Sequence, residues 1–300
     1  MTPVILYQDE DLLVLDKPPG MVVNNAESVK GETVQDWIIK EFPNLFCHRD
    51  PDVSSGEAIP IIEIASSSAS LRTPRNDIES DFCSRAGIVH RIDKETSGIL
   101  LIAKTPAAFG ELQRQFKERE VKKTYLALVH GNIPEEGTIN APVGRLPWNR
   151  EHFGVVPGGK ESVTKFKRIS IIDMTYARSG VSIPGIKEAP IPGMMRTSEQ
   201  KMFSLVEVYP ETGRTHQIRV HFKYLGYPLV GDYLYGGRIQ SRDDRKEFPR
   251  VMLHAWKIAF AHPTTHEPLA FEALIPDDMN TIIKQQITST KSQTNSNNQM

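Results

Sequence analysis

Residues 87–103 read Gly-Ile-Val-His-Arg-Ile-Asp-Lys-Glu-Thr-Ser-Gly-Ile-Leu-Leu-Ile-Ala. Two apolar pieces, 87–90 and 98–103, enclose a tight polar segment, and both read as buried strands. The segment between them holds His90, Arg91, Asp93, Thr96 and Ser97. A carboxylate at Asp93 can serve as nucleophile or general base, and an arginine two residues away favours its ionised form. The same residues also suit a turn in which Asp93 caps the amides of Thr96 or Ser97. Spacing alone leaves both readings open.

Moving toward the C-terminus, PAAFGELQRQFKERE (106–120) predicts a helix. Pro106 suits its first turn, and Phe109, Leu112 and Phe116 fall on one face. VKKTYLALVH (121–130) alternates as a strand, with Val121, Lys123, Tyr125, Ala127 and Val129 sharing one side. Toward the N-terminus, 3–7 and 12–16 read as a hairpin, followed by the stiff turn Lys17-Pro18-Pro19-Gly20. Residues 33–42 have near-helical apolar spacing, with Thr33 as N-cap. Residues 161–172, 203–210, 251–261 and 269–275 read as strands, and 214–225 as a helix. Irregular alternation of helices and strands predicts an α+β fold around a mixed sheet.

Three stretches break this pattern. Residues 47–84, rich in Ser, Pro and acids, read as an irregular acidic insertion, with one short strand at 59–64. Within an irregular region at 141–200, residues 178–200 form a second loose stretch. The polar tail, 286–300, has no apolar anchor. The expected organisation is a single catalytic domain over 1–285 carrying these insertions.

The second chemically dense stretch is Pro210-Glu-Thr-Gly-Arg-Thr-His-Gln-Ile-Arg-Val-His221. Arg214, His216, Gln217, Arg219 and His221 crowd a strand-to-helix junction. A helix start favours anions through its open amides, and Arg214 there adds a charge-assisted fork. The bland alternative is a solvated basic face, which the interleaved Ile218, Val220 and Phe222 argue against. His216, His221, His254, His262 and His266 match neither an HExxH nor a zinc-finger spacing, so no metal site is expected.

Composition narrows the class. The chain has 300 residues, no apolar run long enough to span a membrane, and no basic n-region before its first apolar stretch. Two cysteines, Cys47 and Cys83, suit a reducing cytoplasm rather than a disulfide framework. The formal net charge of -1 conceals an asymmetry. Residues 1–84 hold 6 basic and 15 acidic side chains, whereas 85–300 hold 30 basic and 22 acidic. A basic surplus in the later part is compatible with a polyanion partner.

With both segments in view, HRIDKETSGILLIAK (90–104) closely resembles the signature of the RluA-type RNA pseudouridine synthases. GRTHQIRVH (213–221) followed by YPLVGDYLYG (227–236) resembles that family's second signature. ILYQDEDLLVLDKPPGMVV, FKEREVKKTYLALVHG and LHAWKIAFAHP agree in order, so the resemblance covers roughly 3–277. It implies an α+β pseudouridine synthase catalytic fold: a mixed, mostly antiparallel central sheet, flanking helices, and two lobes about an RNA-binding cleft. It also implies isomerisation of uridine to pseudouridine in rRNA or tRNA, without cofactor or metal; a cytoplasmic monomer is expected.

By motif position, Asp93 matches the catalytic aspartate, Tyr125 the tyrosine that packs on the base, and Arg214 the arginine that pairs with the aspartate. Arg91 matches the residue that helps displace the base. His90, Thr96, Lys17, Lys123, His216, Gln217 and Arg219 are the further candidates for shaping the site or contacting RNA. Arg114, Lys117, Arg119, Lys122 and Lys123 are expected to add cations near Tyr125. The pattern departs at Ile92, where leucine is usual, and at Asn24-Asn25, where many members have His-Pro. The resemblance begins near residue 3, so the small N-terminal RNA-binding domain of many relatives is not expected within these 300 residues. A catalytically silent RNA-binding protein of the same fold is the alternative that the intact Asp93, Tyr125 and Arg214 disfavour.

Overall fold

The computed structural model describes residues 2–27, 29–46, 74–176, 199–237 and 243–283. Its strands are β1 (Val4–Gln8), β2 (Leu12–Lys17), β3 (Ser97–Ala103), β4 (Lys122–His130), β5 (Glu136–Asn140) and β6 (Val143–Leu146). They continue with β7 (Asn149–Val155), β8 (Val163–Tyr176), β9 (Glu199–Pro210), β10 (Leu253–Ala261) and β11 (Pro268–Glu272). The helices are α1 (Val34–Glu41), α2 (Pro43–Phe46), α3 (Pro74–Ser84), α4 (Pro106–Lys117) and α5 (Gln217–Tyr224). The chain divides into two compact units, Met1–Val121 with Ala259–Phe271, and Lys122–Ile258 with Glu272–Met300.

In the first unit, β1, β2 and β3 pair antiparallel, from Val4 opposite Asp16 to Leu12 opposite Ala103 and Lys17 opposite Gly98. The β1–β2 turn is held by Asp9, whose Oδ1 accepts from the amides of Asp11 (2.8 Å) and Leu12 (2.7 Å). This is a local side-chain substitute for a backbone turn bond. Every residue of β3 is buried, which explains its uninterrupted apolar run. Helix α1 opens on a reciprocal capping box: Asp36 N donates to Thr33 Oγ1 (3.1 Å), and Thr33 N donates to Asp36 Oδ2 (3.0 Å). Helix α4 starts on the Thr105 cap with Pro106 in its first turn, and buries Phe109 and Leu112.

The second unit contains the antiparallel run β4-β9-β8-β5, with Tyr125 opposite Val208 and His130 opposite Phe203. Its two faces are both covered. Ala127, Val129, Val206 and Val208 pack with Ile218 and Phe222 of α5, whereas Leu126, Leu128, Phe203 and Leu205 pack with Phe248 and Met252. Burial on both sides turns β4 into the apolar stretch Leu-Ala-Leu-Val rather than a half-polar alternation.

Several sequence expectations are corrected. Residues 87–90 do not form a strand; only an isolated bridge joins Ile88 to Ile102. The cause is Gly87, whose φ of +70 and approach to β3 interrupt extended pairing. Part of the stretch 47–84 is regular: α3 forms and buries Phe82 edge-on against Phe109 of α4, with ring centroids 5.8 Å apart. The strand expected at 59–64 lies outside the described residues, as do most of 178–200 and the tail 286–300. The irregular region after 141 includes the hairpin β6–β7, hidden in the sequence because its strands are short and glycine-rich. Helix 106–120 ends at Lys117, since Arg119 takes a left-handed φ of 62, and helix 214–225 begins only at Gln217.

Gly87 also yields a test of the packing under the Asp93 loop. A Cβ at this position would lie 2.1 Å from the Ala103 carbonyl oxygen, a backbone atom that cannot swing aside. Gly87→Ala is expected to destabilise the protein by about 3 kcal/mol, through clash and positive-φ strain, measured as a lowered midpoint of chemical denaturation.

Candidate functional site

The segment around Asp93 is shaped by buried polar contacts of the first unit. Asp93 is half-buried, and its backbone carbonyl accepts from Thr96 N (3.1 Å), closing the turn. Thr96 and Ser97 are buried beneath it, and Arg91 is exposed. Lys17 is fully buried, and its Nζ donates to the carbonyls of Pro18 (2.9 Å), Met21 (2.9 Å) and Lys94 (3.1 Å). The Lys94 carbonyl accepts a second bond from Gly20 N (2.8 Å), so the KPPG turn is tied to the residue after Asp93. An ammonium with three donors meets three acceptors, which is how a charge tolerates such burial. His90 is half-buried: its Nε2 accepts from Leu101 N (2.9 Å), and its ring lies 4.7 Å from that of Phe116. Lys17 and His90 therefore shape the Asp93 segment from beneath.

In the second unit, Lys123 and Tyr125 stand two residues apart on β4 and share its side. Tyr125 packs on the cluster containing Val208 and Ile218. Burial pulls the Lys123 ammonium down to about 8, because the charged form loses water. Arg214 is exposed just before α5, with its Nε donating to the Glu161 carbonyl (3.3 Å).

The arrangement before α5 rests on the amide of Gln217. Its Oε1 accepts from Thr212 Oγ1 (2.7 Å) and from Arg214 N (3.0 Å). Its Nε2 donates to the Val163 carbonyl (3.0 Å) and to Thr164 Oγ1 (2.9 Å). The four contacts use both lone pairs and both hydrogens of the amide. Thr164 Oγ1 lies 2.9 Å from His221 Nδ1, while His221 Nε2 donates to the Ala141 carbonyl (2.9 Å). Burial lowers the pKa of this fully buried imidazole, and the carbonyl bond only partly offsets that. A neutral ring with its proton on Nε2 then accepts the Thr164 hydroxyl.

Arg219 is held as tightly. Its Nε and Nη2 form a fork on Asp232 at 2.7 and 2.8 Å, both side chains being buried. Asp232 also accepts from the amides of Leu234 (3.0 Å) and Tyr235 (3.2 Å), and the guanidinium lies over the Tyr235 ring at 5.0 Å. His216, with a left-handed φ of 54, shares a 2.9 Å hydrogen bond with Tyr235 Oη.

The candidates thus separate. Asp93, Arg91, Tyr125 and Arg214 retain partial or full exposure, as does Lys123 in part. Lys17, Thr96, Gln217 and Arg219 are buried, and the polar atoms of Lys17, Gln217 and Arg219 meet backbone carbonyls, threonine hydroxyls and the Asp232 carboxylate, as groups that shape the site do. The sequence reading missed Thr164, Thr212, Asp232 and Tyr235. For Asp232 and Tyr235, their place in YPLVGDYLYG was a usable signal. Among the described residues, no three of His, Cys, Asp and Glu gather as a metal site. No described helix is long and apolar enough to cross a membrane.

Residues 11–224 match the family described as RNA pseudouridylate synthase. The chain is 31% identical over 283 residues to ribosomal large subunit pseudouridine synthase D of Nitrosomonas europaea, covering 93% of this chain and 64% of that protein. It is 34% identical over 281 residues to the RNA pseudouridine synthase YlyB of Bacillus subtilis, covering 93% and 71%. This chain therefore spans about two thirds of the length of these relatives. Among solved structures, human RNA pseudouridylate synthase domain containing 1 superposes with a TM-score of 0.58 at 26% identity, covering 92% of this chain and 84% of that one.

Two outcomes check the site's energetics. Arg219→Met leaves the Asp232 carboxylate buried without its fork, and is expected to cost about 3–5 kcal/mol in equilibrium denaturation. For Lys123, the folded pKa lies below the unfolded value of 10.5. The unfolded chain then binds more protons between about 8 and 10.5, so stability rises with pH across that window, by at most about 1.4 kcal/mol per unit. Lys123→Met should abolish that rise and be the more stable protein at pH 7, as read from unfolding curves of both proteins against pH.

Proposed function

Because the chain belongs to the RNA pseudouridylate synthase family, we propose that it isomerises uridine to pseudouridine within structured RNA. Large-subunit ribosomal RNA is the first substrate class to consider. The observation that carries this reading is the family match over 11–224, a span that contains HRIDKETSGILLIAK and GRTHQIRVH, and with them Asp93, Tyr125 and Arg214. The names of the relatives support the ribosomal assignment.

Asp93 is the reacting carboxylate. It serves the cleavage of the bond between ribose C1′ and uracil N1, after which the base turns and is rejoined through C5. Arg214 is, by motif position, the arginine given the role of partner to the catalytic aspartate. Tyr125 offers an aromatic ring to the target base and a hydroxyl for proton movement at C5. Arg91, exposed beside the Asp93 turn, helps hold the base out of its stack, a step that costs a few kcal/mol in any enzyme acting on a stacked base. The reaction is an isomerisation and consumes no co-substrate. Exposed cations supply phosphate contacts that offset the unstacking.

Asp93→Asn is expected to reduce pseudouridine formation to background while leaving thermal unfolding and RNA affinity near wild type. The check is pseudouridine mapping of ribosomal and transfer RNA from deletion cells complemented with either protein. Full modification by Asp93→Asn would sink the role given to Asp93. A map unchanged by deletion would favour a silent RNA-binding protein. The position of any lost signal identifies the substrate.

A further inference from the structure

Trp148 is 79% exposed, although tryptophan is among the side chains that gain most from burial. It sits with Pro147 in the two-residue turn of the β6–β7 hairpin, between Leu146 and its partner Asn149. The next register pair is Arg145 with Phe153, so Arg150, Glu151 and His152 bulge out of the ladder near the tip. A glycine pair, Gly144 opposite Gly154, lies just below.

The root of this hairpin is firmly seated. Val143 packs with Val220 of α5 and with Tyr235, and Phe153 and Val155 pack against the same cluster. Phe153 N donates to Tyr235 Oη (3.2 Å), the hydroxyl that also meets His216, and the Phe153 ring lies 5.8 Å from that of His216. The arm is therefore fixed to the turn that presents Arg214. Arg145 holds its guanidinium over the Phe153 ring at 5.1 Å. From 143 to 160 the chain carries three basic residues and one acidic.

We infer that this hairpin is an RNA-contact arm, and that Trp148 stacks on an unpaired base of the substrate flanking the target uridine. The inference rests on the proposed function and extends it to how substrate is held. An indole face accepts any base, and basic neighbours neutralise the adjoining phosphates. A protein partner would call for a broad apolar surround, whereas Trp148 has only Leu146 and Pro147 before it and is followed in sequence by Asn149, Arg150 and Glu151.

The test uses the full chain and two RNAs. With unmodified large-subunit ribosomal RNA transcript, Trp148→Ala should raise KM about tenfold with kcat within about twofold, and Trp148→Phe should restore most of the loss. Near-wild-type thermal unfolding of both variants shows that the arm still folds. With a short single-stranded oligouridylate, wild-type tryptophan emission should be quenched, and the quench should be lost in Trp148→Phe, which retains Trp37 and Trp256. An equal KM for Trp148→Ala, or a quench that persists in Trp148→Phe, overturns the inference. Failure of wild type to form pseudouridine in any RNA would overturn the proposed function instead. The oligouridylate quench reads the stacking whether or not isomerisation occurs.

Discussion

A single side-chain amide governs much of the second unit. Gln217 makes four hydrogen bonds, and their partners lie on β8 and in the turn between β9 and α5. Buried polar groups are expensive unless satisfied, so a network of this kind tolerates few alternative arrangements. The consequence reaches Arg214, whose backbone amide is one of the four contacts. The guanidinium emerges from a turn whose main chain is fixed by a buried residue. His221, one turn further along α5, continues the same chain of contacts to the Ala141 carbonyl.

The first unit reaches a comparable end by a different chemistry. There the fixing group is the Lys17 ammonium, whose three protons are shared among the carbonyls of Pro18, Met21 and Lys94. Asp93 is thereby flanked by a clamped Lys94 carbonyl on one side and by Ile92, buried in the core, on the other. In both units, motif residues fall into two kinds. Some have their polar atoms saturated within the fold, and others, such as Arg91 and Arg214, extend from the framework so formed. Preorganisation of this type lets a reactive group hold its position without reorganising when substrate arrives.

The strands with strong apolar periodicity were readable from sequence, as were α1 with its Thr33 cap and α4 with Pro106. The 87–90 segment was not, because an apolar run of four residues carries no sign of the positive φ at Gly87 that breaks it. Helix α3 was hidden because its composition is acidic and polar, and its place rests on contacts distant in sequence, such as Phe82 against Phe109 and Gln35 on the Ser84 carbonyl. Within the candidate site, motif position left Gln217 and Arg219 as candidates either for shaping the site or for contacting RNA. Their true partners, Thr164 and Asp232, lie 53 and 13 residues away in sequence. No local pattern distinguishes an arginine that faces phosphate from one that forks onto a buried carboxylate.

That distinction alters how charge should be read. The basic surplus after residue 84 suggested a polyanion, yet part of it is consumed internally. Arg219 is held by Asp232, and Arg250 by Asp278 at 2.6 and 2.9 Å. Arg114, expected near the RNA, is bracketed by Glu111 and Glu120, each in bidentate contact at 2.8–3.0 Å. Such exposed pairs add little to stability, but they occupy the fork that a phosphate would otherwise use. The term that drives RNA binding is the release of counterions by phosphates that a protein cation neutralises, so formal charge overstates it wherever a carboxylate is already in place. Lys117, Lys122, Arg91 and Arg214 are exposed, and they weigh more in that count than the larger total from which they come.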